Sequence, residues 1–212
     1  SKVMNYSPNC IIIMVVNPVD TMTYLAIQIS KLPRNRVVGL SGVLDSARFS
    51  SFIAAELKVS PSDVSACILG EHGRNMVVIP RLTTVKGKPV TELLHKETID
   101  KLVERTIEGG AEIVDLLKTG SAFYAPSAAV ARMAEAIVRD KKEVLPCAAC
   151  LEGEYDIGDT VVGVPVRLGK NGIEQIIELE LTQEEKQALS KSAESVRELI
   201  KTVSYTHLRA HE

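Results

Sequence analysis

Cys10-Ile11-Ile12-Ile13-Met14-Val15-Val16, running into Asn17-Pro18-Val19-Asp20, holds the longest uninterrupted apolar run of the chain. A short run rich in β-branched residues reads as a buried parallel strand, and it breaks at Asn17-Pro18. Asp20 is placed to cap a helix reaching about Lys31, in which Met22, Leu25, Ala26 and Ile29 fall at helical spacing. Pro33 stops that helix, and Arg36–Leu40 reads as a second strand ending at Ser41-Gly42. Strand, helix and strand in this order make the βαβ unit of a parallel sheet with helices on its faces. One such unit has two bare edges and cannot stand as a domain. Residues 1–42 therefore read as the tail end of a larger sheet.

From Leu44 the order changes. A helix to about Lys58 leads through Ser60-Pro61-Ser62-Asp63 into a strand at Val64–Leu69, and Gly70-Glu71-His72-Gly73 follows as a loop. Met76–Pro80 and Leu82–Val85 are short strand candidates before a turn at Lys86-Gly87-Lys88. Long helices are expected over Glu97–Lys118 and Ala125–Asp140, the first with an apolar stripe from Ile99 to Leu117. Gly109-Gly110 interrupts that stripe at a cost in helix propensity, which predicts close approach by another backbone. Strands at Glu143–Leu151 and Thr160–Leu168 come next, then an Asn171-Gly172 hairpin into Ile173–Leu181. Thr182 with Glu185 forms a capping box for a last amphipathic helix to about Val203. This mixed order predicts an α+β domain over 43–203. Ser204–Glu212 lacks apolar periodicity and is similar to translated adaptor sequence, so 204–212 is expected to be a non-native tail whose His207 and His211 are incidental.

Composition narrows the function. The 212 residues carry 25 Lys+Arg against 27 Asp+Glu, a formal net charge of −2, which leaves no basic footprint for nucleic acid or an anionic membrane. With three Phe, five Tyr and no Trp, platforms for stacking bases are scarce. No apolar run approaches the roughly 20 residues that span a bilayer. The expectation is a soluble, cytoplasmic protein with no nucleic-acid or membrane partner. Of the cysteines at 10, 67, 147 and 150, only Cys147 and Cys150 have suggestive spacing. Residues three apart on a strand face opposite sides, which suits neither a disulfide nor two ligands of one metal. Buried thiols and no metal site are expected.

Three short segments carry candidate chemistry. In Leu44-Asp45-Ser46-Ala47-Arg48-Phe49, Asp45 and Arg48 share one helix face. Alone, such a pair is usually a surface ion pair worth less than about 1 kcal/mol. Here it opens a helix at the carboxyl edge of a sheet, where α/β proteins place ligands. In Gly70-Glu71-His72-Gly73 a histidine lies between two glycines on a tight turn, a setting suited to proton transfer near neutral pH if a carboxylate fixes its tautomer. Asp45 is the candidate partner. Asn17 ends a parallel strand and offers both a donor and an acceptor to the crevice, although Asn-Pro is also a common turn signal. A cis bond before Pro18 is open at this point.

These three segments, in this order and spacing, resemble the NAD-dependent malate/lactate dehydrogenase family. The resemblance continues through Gly120-Ser121-Ala122-Phe123-Tyr124-Ala125-Pro126, Leu151-Glu152-Gly153-Glu154-Tyr155, Val162-Gly163-Val164-Pro165-Val166 and Gly169-Lys170-Asn171-Gly172. It covers 1–203 and is strongest to the lactate-dehydrogenase-like malate dehydrogenase branch. It implies a Rossmann remnant over 1–42 followed by an α+β catalytic domain over 43–203, with NAD as cofactor, malate or oxaloacetate as substrate, and a homodimer or homotetramer. His72 is then the proton-transfer group and Asp45 its partner, while Arg48 clamps the substrate carboxylate with a planar fork of donors. Asn17 binds the substrate oxygen, and Val15, Val16 and Asn17 meet the nicotinamide. Ala122 stands where lactate enzymes carry Thr, leaving room for a second carboxylate.

Arg74 departs from the family's usual Asp after Gly-x-His-Gly and alters charge near the site. The family's glycine-rich phosphate loop, ribose-binding acid and mobile loop with two substrate arginines are not in the sequence. About a hundred residues ahead of Ser1 would hold them, so the chain as written is expected to be inactive. The competing expectations are a lactate or other 2-hydroxy-acid dehydrogenase, separated by the missing loop arginine, and a non-catalytic interaction module.

Overall fold

The structure, a computed structural model, describes residues 2–209. In chain order the first elements are α1 (Lys2–Tyr6), β1 (Ile12–Met14), α2 (Val19–Ser30), β2 (Val37–Gly39) and α3 (Gly42–Leu57). Then come β3 (Val64–Ser65), β4 (Ile68–Gly70), β5 (Met76–Val78), β6 (Thr84–Val85), β7 (Lys88–Pro89) and α4 (Val90–Leu93). The chain continues with α5 (Lys96–Leu117), α6 (Tyr124–Val138), β8 (Glu143–Glu152), β9 (Gly158–Gly169), β10 (Gly172–Ile176) and α7 (Gln183–Arg209).

β1 and β2 pair in parallel, with Ile12 opposite Val37 and Met14 opposite Gly39. The apolar run from Cys10 to Val16 thus forms a strand only over its middle, and the βαβ unit is present. β2 then meets β8 antiparallel at Gly39 and Ala148. Among the described residues one sheet runs β1-β2-β8-β9-β4-β5, with β10 paired to β9, and β3-β6-β7 form a second, small sheet. The strand expected over Val64–Leu69 is therefore two strands in two sheets. Its backbone breaks at Ala66-Cys67, so that Ile68–Gly70 can turn into the main sheet beside β9.

The long β8–β9 ladder, in register from Glu143 opposite Leu168 to Leu151 opposite Thr160, is the frame on which the rest is hung. Alternation along β8 sends Cys147, Ala149 and Leu151 into the core shared with Met133 and Ala136 of α6. It sends Ala148 and Cys150 to the opposite side, against Tyr24 and Ile27 of α2. Cys147 and Cys150 are buried free thiols on opposite faces, as the strand geometry predicts, and burial raises the pKa of both. A further core joins Phe49 and Ile53 of α3 to Ile68 and to Ile99 of α5. Residues 42–57 are thereby wedged between sheet and helix. Gly42 makes this fit possible: a Cβ there would collide with the carbonyl oxygen of Ile68 and lie 2.8 Å from Pro146 Cβ.

Several boundaries differ from expectation. The Asn171-Gly172 hairpin forms, but β10 ends at Ile176 and the chain leaves the sheet before Leu181. The capping box of α7 forms, with the Glu185 N–H donating to Thr182 Oγ and the Thr182 N–H to Glu185. α7 passes its expected end at Val203 and continues to Arg209, while residues 210–212 of the expected tail, His211 included, lie outside the described residues. Asp20 does not cap α2. Pro18 takes that position after a cis Asn17-Pro18 bond, and Asp20 turns inward. Among the described residues no helix is long and apolar enough to cross a membrane.

Candidate active site

Asp45 lies in the first turn of α3 and is 1% exposed. Its two oxygens face different partners. Oδ2 lies 2.7 Å from His72 Nδ1, and Oδ1 lies 3.4 Å from Arg48 Nη1, one helical turn on. A carboxylate only accepts, so Nδ1 is the donor, and in the neutral ring Nε2 then holds the lone pair. Nε2 has no hydrogen-bond partner among the described residues.

The His72 loop leaves β4 through Gly70, whose φ of 85° is one that side-chain-bearing residues rarely adopt. Three helices hold the loop. Ser192 Oγ on α7 accepts the Glu71 N–H at 2.7 Å, Asp20 Oδ2 on α2 accepts the His72 N–H at 2.9 Å, and Asp45 on α3 holds the ring. Burial works to lower the His72 pKa, and Arg48 adds to that. The hydrogen bond and charge of Asp45, with the charge of Asp20, outweigh both, so the pKa is raised. Asp20 itself is pushed up to about 7, chiefly by burial, against the pull of the His72 N–H.

His72, Arg48, Asn17, Val15, Ser121 and Ala122 line one cavity of about 330 Å³, with Leu44 and Val114 among its apolar walls. Asp45 sits behind His72 and Arg48. Val16 does not line the cavity and is 56% exposed beside it. Arg48 Nε is buried without a hydrogen-bond partner among the described residues.

Gly109 and Gly110 make room for Arg48 and not, as expected, for another backbone. The groups nearest a Cβ at either position are Arg48 side-chain atoms, with Cδ 3.5 Å from that of Gly109. Arg74 is exposed, makes no hydrogen bond or ion pair among the described residues and does not line the cavity. The sequence reading missed Asp20 and Ser121 as neighbours of the site. Locally Asp20 has the signature of a cap, a carboxylate near a helix start, and only the fold brings it under His72.

The description "lactate/malate dehydrogenase, alpha/beta C-terminal domain" matches residues 42–206, and "lactate/malate dehydrogenase, NAD binding domain" matches residues 1–39. The chain belongs to the lactate/malate dehydrogenase family. A curated relative, the malate dehydrogenase of Roseiflexus castenholzii, is 57% identical over 203 residues, covering 96% of this chain and 66% of the relative. The chain thus spans about two thirds of the length of the curated relatives it matches. The solved malate dehydrogenase of Salinibacter ruber superposes with a TM-score of 0.95 at 49% identity, covering 98% of this chain and 68% of that one. The lactate dehydrogenase of Cryptosporidium parvum superposes with a TM-score of 0.90 at 42% identity, covering 94% of this chain and 68% of that one. The backbone fold is common to malate and lactate enzymes of the family, so substrate choice has to be argued from side chains.

Proposed function

We propose that these residues belong to an NAD-dependent malate dehydrogenase, which moves a hydride reversibly between malate and NAD to give oxaloacetate and NADH. The observation that carries the reading is the single cavity that gathers a carboxylate-oriented histidine, a half-buried arginine, an asparagine and a small residue. In this reading residues 1–42 are the remnant of the dinucleotide-binding domain and 43–203 the catalytic domain.

Each group has a task that its surroundings suit. His72 Nε2 takes the proton of the 2-hydroxyl in the malate direction and returns it to the carbonyl oxygen in the other. Asp45 fixes the tautomer and stabilises the imidazolium. Arg48, which lines the cavity, receives the carboxylate next to the reacting carbon through its planar guanidinium. Asn17 hydrogen-bonds the reacting oxygen. Ala122 leaves space in the cavity for the second carboxylate of a four-carbon diacid.

Val15, half exposed at the end of β1, and exposed Val16 offer apolar surface at the carboxyl ends of the parallel strands, which fits the face of a nicotinamide ring. Together with Asn17 they would hold that end of NAD, which when bound supplies the hydride acceptor. No phosphate-binding glycine loop occurs in the sequence, so residues 1–203 alone are expected to turn over no malate. The apolar surface left between α3, α5 and α6, lined by Leu116, Ile113 and Phe52, supports assembly as a homodimer or homotetramer, and the cytoplasm is the proposed compartment.

Full-length protein, given NADH with either oxaloacetate or pyruvate, tests the reading by loss of the NADH absorbance. A strong preference for oxaloacetate is expected. Preference for pyruvate would overturn the substrate assignment, and no turnover with either would overturn the activity.

A further inference from the structure

Asp20 has no part in the proton transfer as written above, yet it is 3% exposed and lies within the first turn of α2, three residues after Asn17. Its Oδ2 accepts the backbone N–H of His72 across 52 positions of sequence. Its Oδ1 is buried with no partner among the described residues. Other bonds hold the flanks of the loop: Glu71 N–H to Ser192, and the Asn75 amide to Glu71 and Ser195. Asp20 is the group that holds the backbone of His72 itself.

We propose that Asp20 is a positioning residue for His72: it ties the loop bearing the imidazole to the turn bearing Asn17, and it places a second carboxylate beside that imidazole. The proposal rests on the roles given to His72 and Asn17. Both groups must meet the same substrate oxygen, so a hinge between their two loops would separate them. A misplacement of about 1 Å in such an arrangement can cost about 10²-fold in rate. The charged groups facing Asp20 are His72, Glu71 from the same loop and Asp45 from α3. With burial pushing its pKa to about 7, Asp20 changes charge near neutral pH, and its ionised form favours the imidazolium.

Two substitutions in the full-length protein separate the bond from the charge. Asp20→Ala removes both, whereas Asp20→Asn keeps an acceptor and the shape of the protonated acid. For Asp20→Ala, kcat of oxaloacetate reduction is expected to fall at least about tenfold, with KM within about threefold. Hydrogen exchange at the His72 amide is expected to speed at least about tenfold. For Asp20→Asn, kcat should return to within about threefold of wild type. The pKa read from the His72 ring protons by NMR should fall below that of wild type.

Wild-type kcat and unchanged amide exchange in Asp20→Ala would overturn the proposal. So would a folded Asp20→Asn as slow as Asp20→Ala, or an unmoved His72 titration in Asp20→Asn, whether or not Asp20→Ala folds. The exchange and NMR readouts need no turnover. Inactivity with both oxo acids would thus count against the malate reading and leave these two measurements to decide the role of Asp20.

Discussion

Replacing Asp45 by Asn removes one charge while changing almost no volume, at a carboxylate 1% exposed. The carboxylate serves two donors at once, His72 Nδ1 at 2.7 Å through Oδ2 and Arg48 Nη1 at 3.4 Å through Oδ1. An amide has one acceptor atom. If its oxygen stays on His72, its NH₂ points at the Arg48 guanidinium; if it flips, the NH₂ meets Nδ1 and forces the proton onto Nε2, where the substrate hydroxyl has to be received. Either orientation loses a contact inside a buried cluster.

A neighbouring opposite charge commonly moves a pKa by about 1–3 units. Its removal should therefore lower the His72 pKa and weaken the imidazolium. In the proposed mechanism malate oxidation needs neutral His72, so its kcat/KM rises with pH through that pKa, which in the wild type lies above the ordinary histidine value. Oxaloacetate reduction needs the protonated ring and falls over the same range. In Asp45→Asn both limbs should move to lower pH, and maximal kcat should drop by about 10²- to 10⁴-fold, the scale of a lost general acid–base or a wrong tautomer. The checks are pH profiles of kcat/KM in both directions and NMR titration of the His72 ring protons. Limbs unmoved and kcat within threefold of wild type would refute the reasoning, because the 2.7 Å contact would then carry no function.

His72→Asn keeps a polar side chain but removes the titrating group, and turnover in both directions is expected to fall by about 10²- to 10⁴-fold, measured by steady-state kinetics. Arg48→Lys keeps the charge without the planar fork, so KM for oxaloacetate should rise about tenfold or more with a smaller change in kcat. Gly42→Ala would drive a Cβ into the Ile68 carbonyl oxygen and Pro146. Overpacking of this kind should destabilise by about 1–3 kcal/mol, read from the urea midpoint, and should lower kcat by shifting α3 and with it Asp45.

The sequence carried the local elements and most of the residues that the fold gathers at the candidate site. Cys10–Val16 and Arg36–Leu40 gave the parallel pair, and the order Asn17, Asp45-x-x-Arg48, His72 gave the family resemblance. What it could not carry was long-range placement. Val64–Leu69 looks like one strand because its apolar pattern continues through Ala66-Cys67, yet two sheets claim its halves. Gly109-Gly110 signalled a close approach, but helix periodicity does not say that a guanidinium from α3 fills the gap. Asp20 reads locally as a cap, and only the fold of Gly70–Gly73 over α2 makes it the acceptor for His72. Ser204–Arg209 lacks apolar periodicity, yet the helical backbone continues through it, because propagating a turn onto an existing helix needs no buried stripe.

The central claim, that His72, Arg48 and Asn17 share one substrate, is tested most directly by a crystal structure of the full-length protein with NAD and tartronate, a two-carboxylate 2-hydroxy acid. The account places the tartronate hydroxyl within hydrogen-bonding distance of His72 Nε2 and Asn17, and one carboxylate on the Arg48 guanidinium. Tartronate bound away from that cavity, or bound there with His72 Nε2 out of reach of its hydroxyl, would contradict it.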